Sequence, residues 1–224
     1  MSHRDQLKEA ILQKKPLTVG AVADLETLSL PPQDCDIVEL RLDSLGYGPE
    51  VLNYAKNSPL PLLITARGTE EGGQANWSID DRISAYQALM PYASLIDIEL
   101  RDLSPLSKII TLARESGVLV IGSFHDFEKT PPHDSLTAKL NKAQVDIHKF
   151  ALMAHTSDDI QSQLSLTETL RDQNISVMGM GPLGAAARPL MAKAGSLLNY
   201  GYLGKTPTAP NQWPASLLKE ALSV

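Results

Sequence analysis

Val145-Asp-Ile-His-Lys-Phe-Ala-Leu-Met153 is an apolar run of strand length with a lysine at its centre. Successive strand residues face opposite sides, which groups Lys149 with Val145, Ile147 and Ala151. Upstream, the helix-like stretch Asp134–Gln144 separates this run from another, Val118–Ser123. Strand, helix and strand in succession form the unit of a parallel sheet. The unit recurs along the chain. Strand-like runs also occupy Leu17–Ala21, Ile37–Leu42, Leu62–Ala66, Leu95–Leu100, Ile175–Met180 and Leu197–Leu203. Helix-like stretches between and after them are Pro49–Asn57, Arg82–Tyr92, Pro105–Glu115, Asp158–Arg171, Ala185–Ala194 and Pro214–Leu222. Ser78-Ile-Asp-Asp81 is a capping-box pattern, and Gly117 suits a helix stop. Between Asp24 and Asp36, Pro31-Pro32 leaves room for little more than a turn. Eight strands alternating with helices predict a parallel sheet, and eight is the number that closes a TIM barrel. The expectation is a single α/β domain over residues 1–224, a (β/α)8 barrel with a short amphipathic helix within His3–Lys14. An open doubly wound sheet is the competing architecture.

Composition sets outer limits on function. The chain has 224 residues, 43% hydrophobic and 21% charged, enough for a substantial globular core. Its 20 Lys and Arg against 26 Asp and Glu give a net charge of −6, with no basic cluster. That balance argues against nucleic acid as a partner. Cys35 is the single cysteine, which excludes an internal disulfide. No apolar stretch approaches a membrane span, and Met1–Lys15 lacks a signal-peptide core, so a cytoplasmic location is expected.

Several strands depart from the aliphatic pattern that fills a barrel. Glu39, Arg41 and Asp43 sit at spacing two and project from one face together. Thr65 and Arg67 repeat this on the next strand, and Asp97, Glu99 and Arg101 on the fourth. A solvated edge-strand face is the alternative, but parallel strands flanked by helices are buried on both sides. Charges gathered at strand C-termini are what the mouth of a barrel active site requires. Glu39, Arg41 and Arg67 are therefore candidate binding residues, with Glu99 in a supporting place.

Lys149 on an apolar face loses hydration of its ammonium, which favours the neutral amine that attacks carbonyl carbons. The bland alternative is a lysine whose stem lies on apolar surface while its head reaches water. Just past the fifth strand-like run, His125 adds a group that titrates near neutrality and suits general acid–base work. Arg67-Gly-Thr-Glu-Glu-Gly-Gly73 adds carboxylates on a flexible segment. Asp146 and His148, on the face opposite Lys149, are assigned to packing under the helices.

Six short motifs then fall in order. They are Glu39-x-Arg-x-Asp43, Arg67-x-x-x-Glu71-Gly-Gly73, Ser123-x-His-Asp-Phe-x-x-Thr-Pro131, Lys149, Met180-x-x-x-Gly184-x-x-x-Arg188 and Thr208-Ala-Pro-x-Gln212. In this register the chain resembles the type I 3-dehydroquinate dehydratases from about residue 17 to its C-terminus. The resemblance implies a (β/α)8 barrel, usually a homodimer, that dehydrates 3-dehydroquinate to 3-dehydroshikimate in the shikimate pathway. It implies no metal and no dissociable cofactor. Lys149 would form a Schiff base with the substrate ketone, His125 would move protons, and Glu71 would orient and tune that histidine. Arg188 would clamp the substrate carboxylate. Glu39 and Arg67 would bond the ring hydroxyls, with Arg41 ordering them. Thr208 and Gln212 would lie on a lid formed by Gly204–Trp213.

The chain also departs from the family's pattern. Ala187 stands where serine is common, and Thr208 and Asn211 stand where serine and glycine are common. Threonine keeps the hydroxyl, but its β-branch stiffens it. The N-terminal helix takes the place of a hairpin. Gly179-Met-Gly-Pro-Leu-Gly184 satisfies a G-x-G-x-x-G pattern, although Pro182 and its place on the seventh strand weaken it as a dinucleotide fingerprint. Read as a phosphate loop, it suits a class I aldolase or transaldolase-like Schiff-base barrel. A barrel that had become a binding module would lack catalytic groups, whereas Lys149, His125 and Glu71 are all present.

Overall fold

The computed structural model describes residues 2–30, 34–209 and 211–223, so the Pro31-Pro32 turn and Pro210 of the C-terminal motif lie outside the described residues. The strands are β1 (Leu17–Val22), β2 (Ile37–Arg41), β3 (Leu62–Thr65), β4 (Leu95–Glu99), β5 (Leu119–Asp126), β6 (Ile147–Met153), β7 (Ile175–Met180) and β8 (Leu198–Tyr202). They pair in parallel in the order β7-β6-β5-β4-β3-β2-β1-β8. The seam between β7 and β8 is spanned by the Leu197 N–H, which donates to the Ile175 carbonyl at 2.9 Å. Two serines complete it: Val177 N–H donates to Ser196 Oγ at 3.0 Å, and Leu198 N–H to Ser176 Oγ at 2.8 Å. The result is a nearly closed (β/α)8 barrel.

Helix α1 (His3–Leu12) precedes β1. The short α2 (Leu42–Leu45) and α3 (Pro49–Asn57) follow β2, and α4 (Ile79–Leu89) follows β3. Then α5 (Ser107–Glu115), α6 (His133–Lys142), α7 (Ser157–Thr169), α8 (Gly184–Ala194) and α9 (Ala215–Ser223) follow β4 to β8 in turn. Between β1 and β2 the described residues form only a 3-10 turn, Thr27–Ser29. Local chemistry explains several helix starts. Ser2, Ser78 and Thr156 each bond the backbone three residues on, while Asp5, Asp81 and Asp159 bond back. Among the described residues, no helix is long and apolar enough to cross a membrane.

Strand alternation divides the core. Val19, Ile37, Leu63, Leu95, Ile121, Ile147 and Leu198 fill the interior at the strands' N-terminal ends. Leu40, Ile64, Ile96 and Val120 face outward to the helices. Leu7 and Ile11 of α1 join the interior cluster, and Arg4 donates to the Ala93 and Ser116 carbonyls at 2.9 and 2.7 Å. Helix α1 is thus the floor of the barrel.

The strand ends differ from the sequence reading at two informative places. Val145 precedes β6 and packs against the outer cluster, leaving Ile147 and Ala151 as the interior companions of Lys149. Asp146 is exposed rather than packed under helices, and accepts a bond from Val120 N–H at 2.7 Å. The G-x-G-x-x-G pattern is a packing device. A Cβ on Gly179 would stand 2.8 Å from Gly184 Cα, and one on Gly184 would stand 2.5 Å from the Gly179 carbonyl carbon. Only glycine at both positions lets α8 lie this close to β7.

Candidate active site

At the C-terminal mouth of the barrel, a cavity of about 260 Å³ gathers all nine residues singled out above: Glu39, Arg41, Arg67, Glu71, His125, Lys149, Arg188, Thr208 and Gln212. They come from β2, the end of β3 and the 3-10 turn after it, β5, β6, α8 and the segment after β8. Position on the strands explains the convergence, because parallel strands all end on the same side of the sheet.

Lys149 lies on the interior face of β6 and is 3% exposed. Its Nζ is 2.7 Å from Asp97 Oδ2 and 4.3 Å from the centre of the Tyr200 ring. Burial drives the Lys149 pKa down, and the Asp97 carboxylate opposes this only in part. Asp97 is fully buried and held well below the usual carboxylate range despite its burial, because Arg67 and Lys149 flank it. Arg67 Nη2 is 2.8 Å from Asp97 Oδ1, and Ser123 Oγ donates to the same oxygen at 2.5 Å. Sequence reasoning gave Asp97 and Ser123 no role. Both sit in recognised patterns, but the link between them is across strands, where local sequence is silent.

His125 belongs to β5 itself rather than to the loop beyond it. Its partner in register is Ala151, while Ser123 pairs with Lys149, so the histidine stands one pleat above the lysine on the neighbouring strand. Nδ1 lies 2.7 Å from Glu71 Oε2, and the His125 N–H donates to that same oxygen at 3.0 Å. Glu71 is fixed in a 3-10 turn, Thr69–Glu71, and is buried, in contrast to the flexible segment expected. Its pKa rises to about 7, chiefly through burial, with Arg67 opposing and Glu99 assisting. Burial, together with the cations Arg67 and Lys149, drives His125 well below its ordinary value. An Nδ1–H donated to Glu71 leaves Nε2 as an unprotonated base.

The remaining residues divide into paired and unpaired groups. Glu39 accepts from Thr65 Oγ1 at 2.7 Å. Arg41 makes a bidentate pair with Asp43 at 2.9 and 2.8 Å, which spends its guanidinium on ordering the mouth. Arg101 lies outside this group, half exposed on a 3-10 turn and paired with Glu70. Arg188 differs from all of these. It is buried, donates to the Tyr200 carbonyl, leaves its Nε without a partner, and has no carboxylate beside it among the described residues. Burial alone lowers it to about 10. A desolvated guanidinium open to a cavity is a site for an anion. Thr208 N–H and Oγ1 both donate to Gln212 Oε1, at 2.9 and 2.8 Å, so these two residues brace each other over the cavity.

Fold and cavity together define a class: (β/α)8 barrels that hold a buried amine and a histidine–carboxylate pair at the mouth. Residues 20–224 match the family model for type I 3-dehydroquinase, and the chain belongs to that family. It is 32% identical over 209 residues to the catabolic 3-dehydroquinate dehydratase of Acinetobacter baylyi, covering 85% of this chain and 76% of the relative. It is 35% identical over 194 residues to the 3-dehydroquinate dehydratase of Methanococcus maripaludis, covering 84% and 88%. A crystal structure of the type I enzyme from Clostridium difficile, with covalently modified comenic acid, superposes with a TM-score of 0.81 at 25% identity, covering 93% and 91%. Membership in this family sets aside the aldolase reading.

Proposed function

We propose that this chain dehydrates 3-dehydroquinate to 3-dehydroshikimate through a Schiff base on Lys149, as a step of the shikimate pathway. The observation that carries the reading is a buried amine, its pKa driven down by burial, facing the same cavity as a neutral imidazole on the next strand. In the reaction, Lys149 releases one proton and neutral Nζ adds to the ketone carbon. The oxygen leaves as water carrying that proton and a second one from Nζ, both relayed by His125, which leaves an iminium. The iminium withdraws electrons from the adjacent C–H bond. His125 Nε2 takes that proton, and the electron pair it leaves expels the C1 hydroxyl, which departs as water with the proton His125 returns. Hydrolysis of the iminium then frees the product and Lys149. Glu71 holds the imidazole in register and disperses its transient charge.

Substrate placement starts from Arg188, which has no carboxylate beside it among the described residues. Arg188 receives the carboxylate as a charge-assisted pair in a water-poor site. Glu39 and Arg67 face the ring hydroxyls, and Arg41 orders them through Asp43. Thr208 and Gln212 close over the bound ring. The same family membership is the ground for reading residues 1–224 as a single catalytic domain that works as a homodimer in the cytoplasm. Incubation with 3-dehydroquinate tests the activity directly. The expected result is a conjugated enone growing in the ultraviolet spectrum, with no added metal or cofactor. A flat trace at high enzyme concentration would refute the reading.

A further inference from the structure

Helix α4 turns Arg82 and Tyr86, one helical turn apart, toward the end of β3. Together they hold both polar groups of Ala66. The Ala66 N–H donates to Tyr86 Oη at 3.2 Å, and Arg82 Nε donates to the Ala66 carbonyl at 2.8 Å. Tyr86 Oη in turn donates to the Asp97 carbonyl at 2.5 Å. The next residue along the chain is Arg67, already in the cavity. The other nitrogens of Arg82 pair with Glu99 and, at 2.5 Å, with Asp102. Glu99 is 1% exposed. Its Oε1 accepts from Gly68 N–H at 2.7 Å and lies 3.3 Å from Arg67 Nη1. A line of alternating charge therefore runs Asp102, Arg82, Glu99, Arg67, Asp97, Lys149, from the surface to the amine.

Arg82 does not line the substrate cavity. We propose that it is a positioning residue for the dehydration: by fixing Ala66 and Glu99 it sets segment 67–71, which presents Arg67 to the cavity and Glu71 to His125. The proposal rests on the reading in the preceding section. It has an electrostatic side as well as a geometric one. The groups facing Glu71 are Arg67 from the end of β3, Asp97 and Glu99 from β4, and His125 from β5. Arg101 and Lys139 share an outer cavity with it. Of these, Glu99 and, less strongly, Asp97 raise Glu71, and Arg82 is the cation that offsets Glu99 from outside. Without Arg82, Glu71 rises further, and the carboxylate form that serves His125 appears only at higher pH.

Three variants of the whole chain test this, and Arg82→Met and Glu99→Gln carry opposite expected signs. Arg82→Met is expected to lower kcat at pH 7 roughly tenfold, leave KM within about threefold, and move the acid limb of the kcat profile upward by about one unit. Arg82→Lys, which restores a charge, is expected to return the limb most of the way. Glu99→Gln keeps an acceptor for Gly68 but removes the charge, and is expected to move the limb downward. If Arg82→Met does not fold, the direction of the Glu99→Gln shift decides alone. Activity lost only in proportion to unfolded protein, with the limb unmoved in both variants, would make Arg82 a fold contact and overturn the proposal. Borohydride reduction with 3-dehydroquinate accompanies each assay. An adduct in every folded variant locates any failure in the positioning claim, whereas no adduct even in the parent enzyme overturns the Schiff-base reading beneath it.

Discussion

Two buried cations at the mouth of the barrel are held in opposite ways. Lys149 has Asp97 at 2.7 Å, so its charge is tolerated and its proton can be passed on. Arg188 has no carboxylate beside it among the described residues, and on the proposed reading its charge receives one from the substrate. Arg188→Gln should therefore raise KM by about tenfold to a hundredfold, in line with about 1.5–3 kcal/mol for a hydrogen bond to a charged group. A KM unchanged within error would move carboxylate binding elsewhere. Glu71 makes a second prediction. Its pKa rises from 4.5 to about 7 on folding, so below 4.5 both folded and unfolded states carry the proton. As pH rises, the unfolded chain ionises first, and stability from this group is lost progressively up to the folded value. Glu71→Gln removes the loss, so its gain in Tm over the parent should grow between about pH 4 and about pH 8. A gain that is flat with pH would contradict the buried, raised carboxyl. These residues were legible in sequence because each sits at a strand end or in a recognised motif. Asp97 was not, since its value depends on which strand lies beside it.

At the scale of elements, the same limit recurs. The aliphatic strands and capped helices were readable because period and cap chemistry are local. The end of β5 was not. His125-Asp126 is polar and looks like loop, yet the ladder to Ala151 and Leu152 on β6 carries the strand through it. Helix α1 was readable as an amphipathic element, while its seat under the barrel depends on Leu7 and Ile11 meeting side chains from distant strands. Leu7→Ala should cost about 2–5 kcal/mol of stability by leaving a void in the floor. Its kcat should be unaltered, because the floor lies at the end of the strands opposite the cavity. Denaturant unfolding and steady-state kinetics on one preparation check both halves. A large fall in kcat without loss of stability would show that the floor is coupled to the mouth.

For the whole molecule, closure of the barrel is the feature that places β6, β7 and β8 around one cavity. Seven neighbouring strand pairs zip by backbone bonds, whereas the β7–β8 seam depends on Ser176 and Ser196 as well. Ser196→Ala leaves the buried Val177 N–H without its acceptor, at a cost of about 1–3 kcal/mol. Hydrogen exchange at Val177 should quicken in that variant while β2 and β3 stay protected. Equal exchange in parent and variant would mean the seam is held by other contacts. The central claim, that the barrel is built around an imine on Lys149, is tested most directly by mass spectrometry after borohydride reduction with 3-dehydroquinate. Ligand mass is expected on the peptide bearing Lys149, with loss of activity in step with it, and Lys149→Ala is expected to show neither adduct nor turnover. Ligand mass on another lysine, or full turnover by Lys149→Ala, would contradict it.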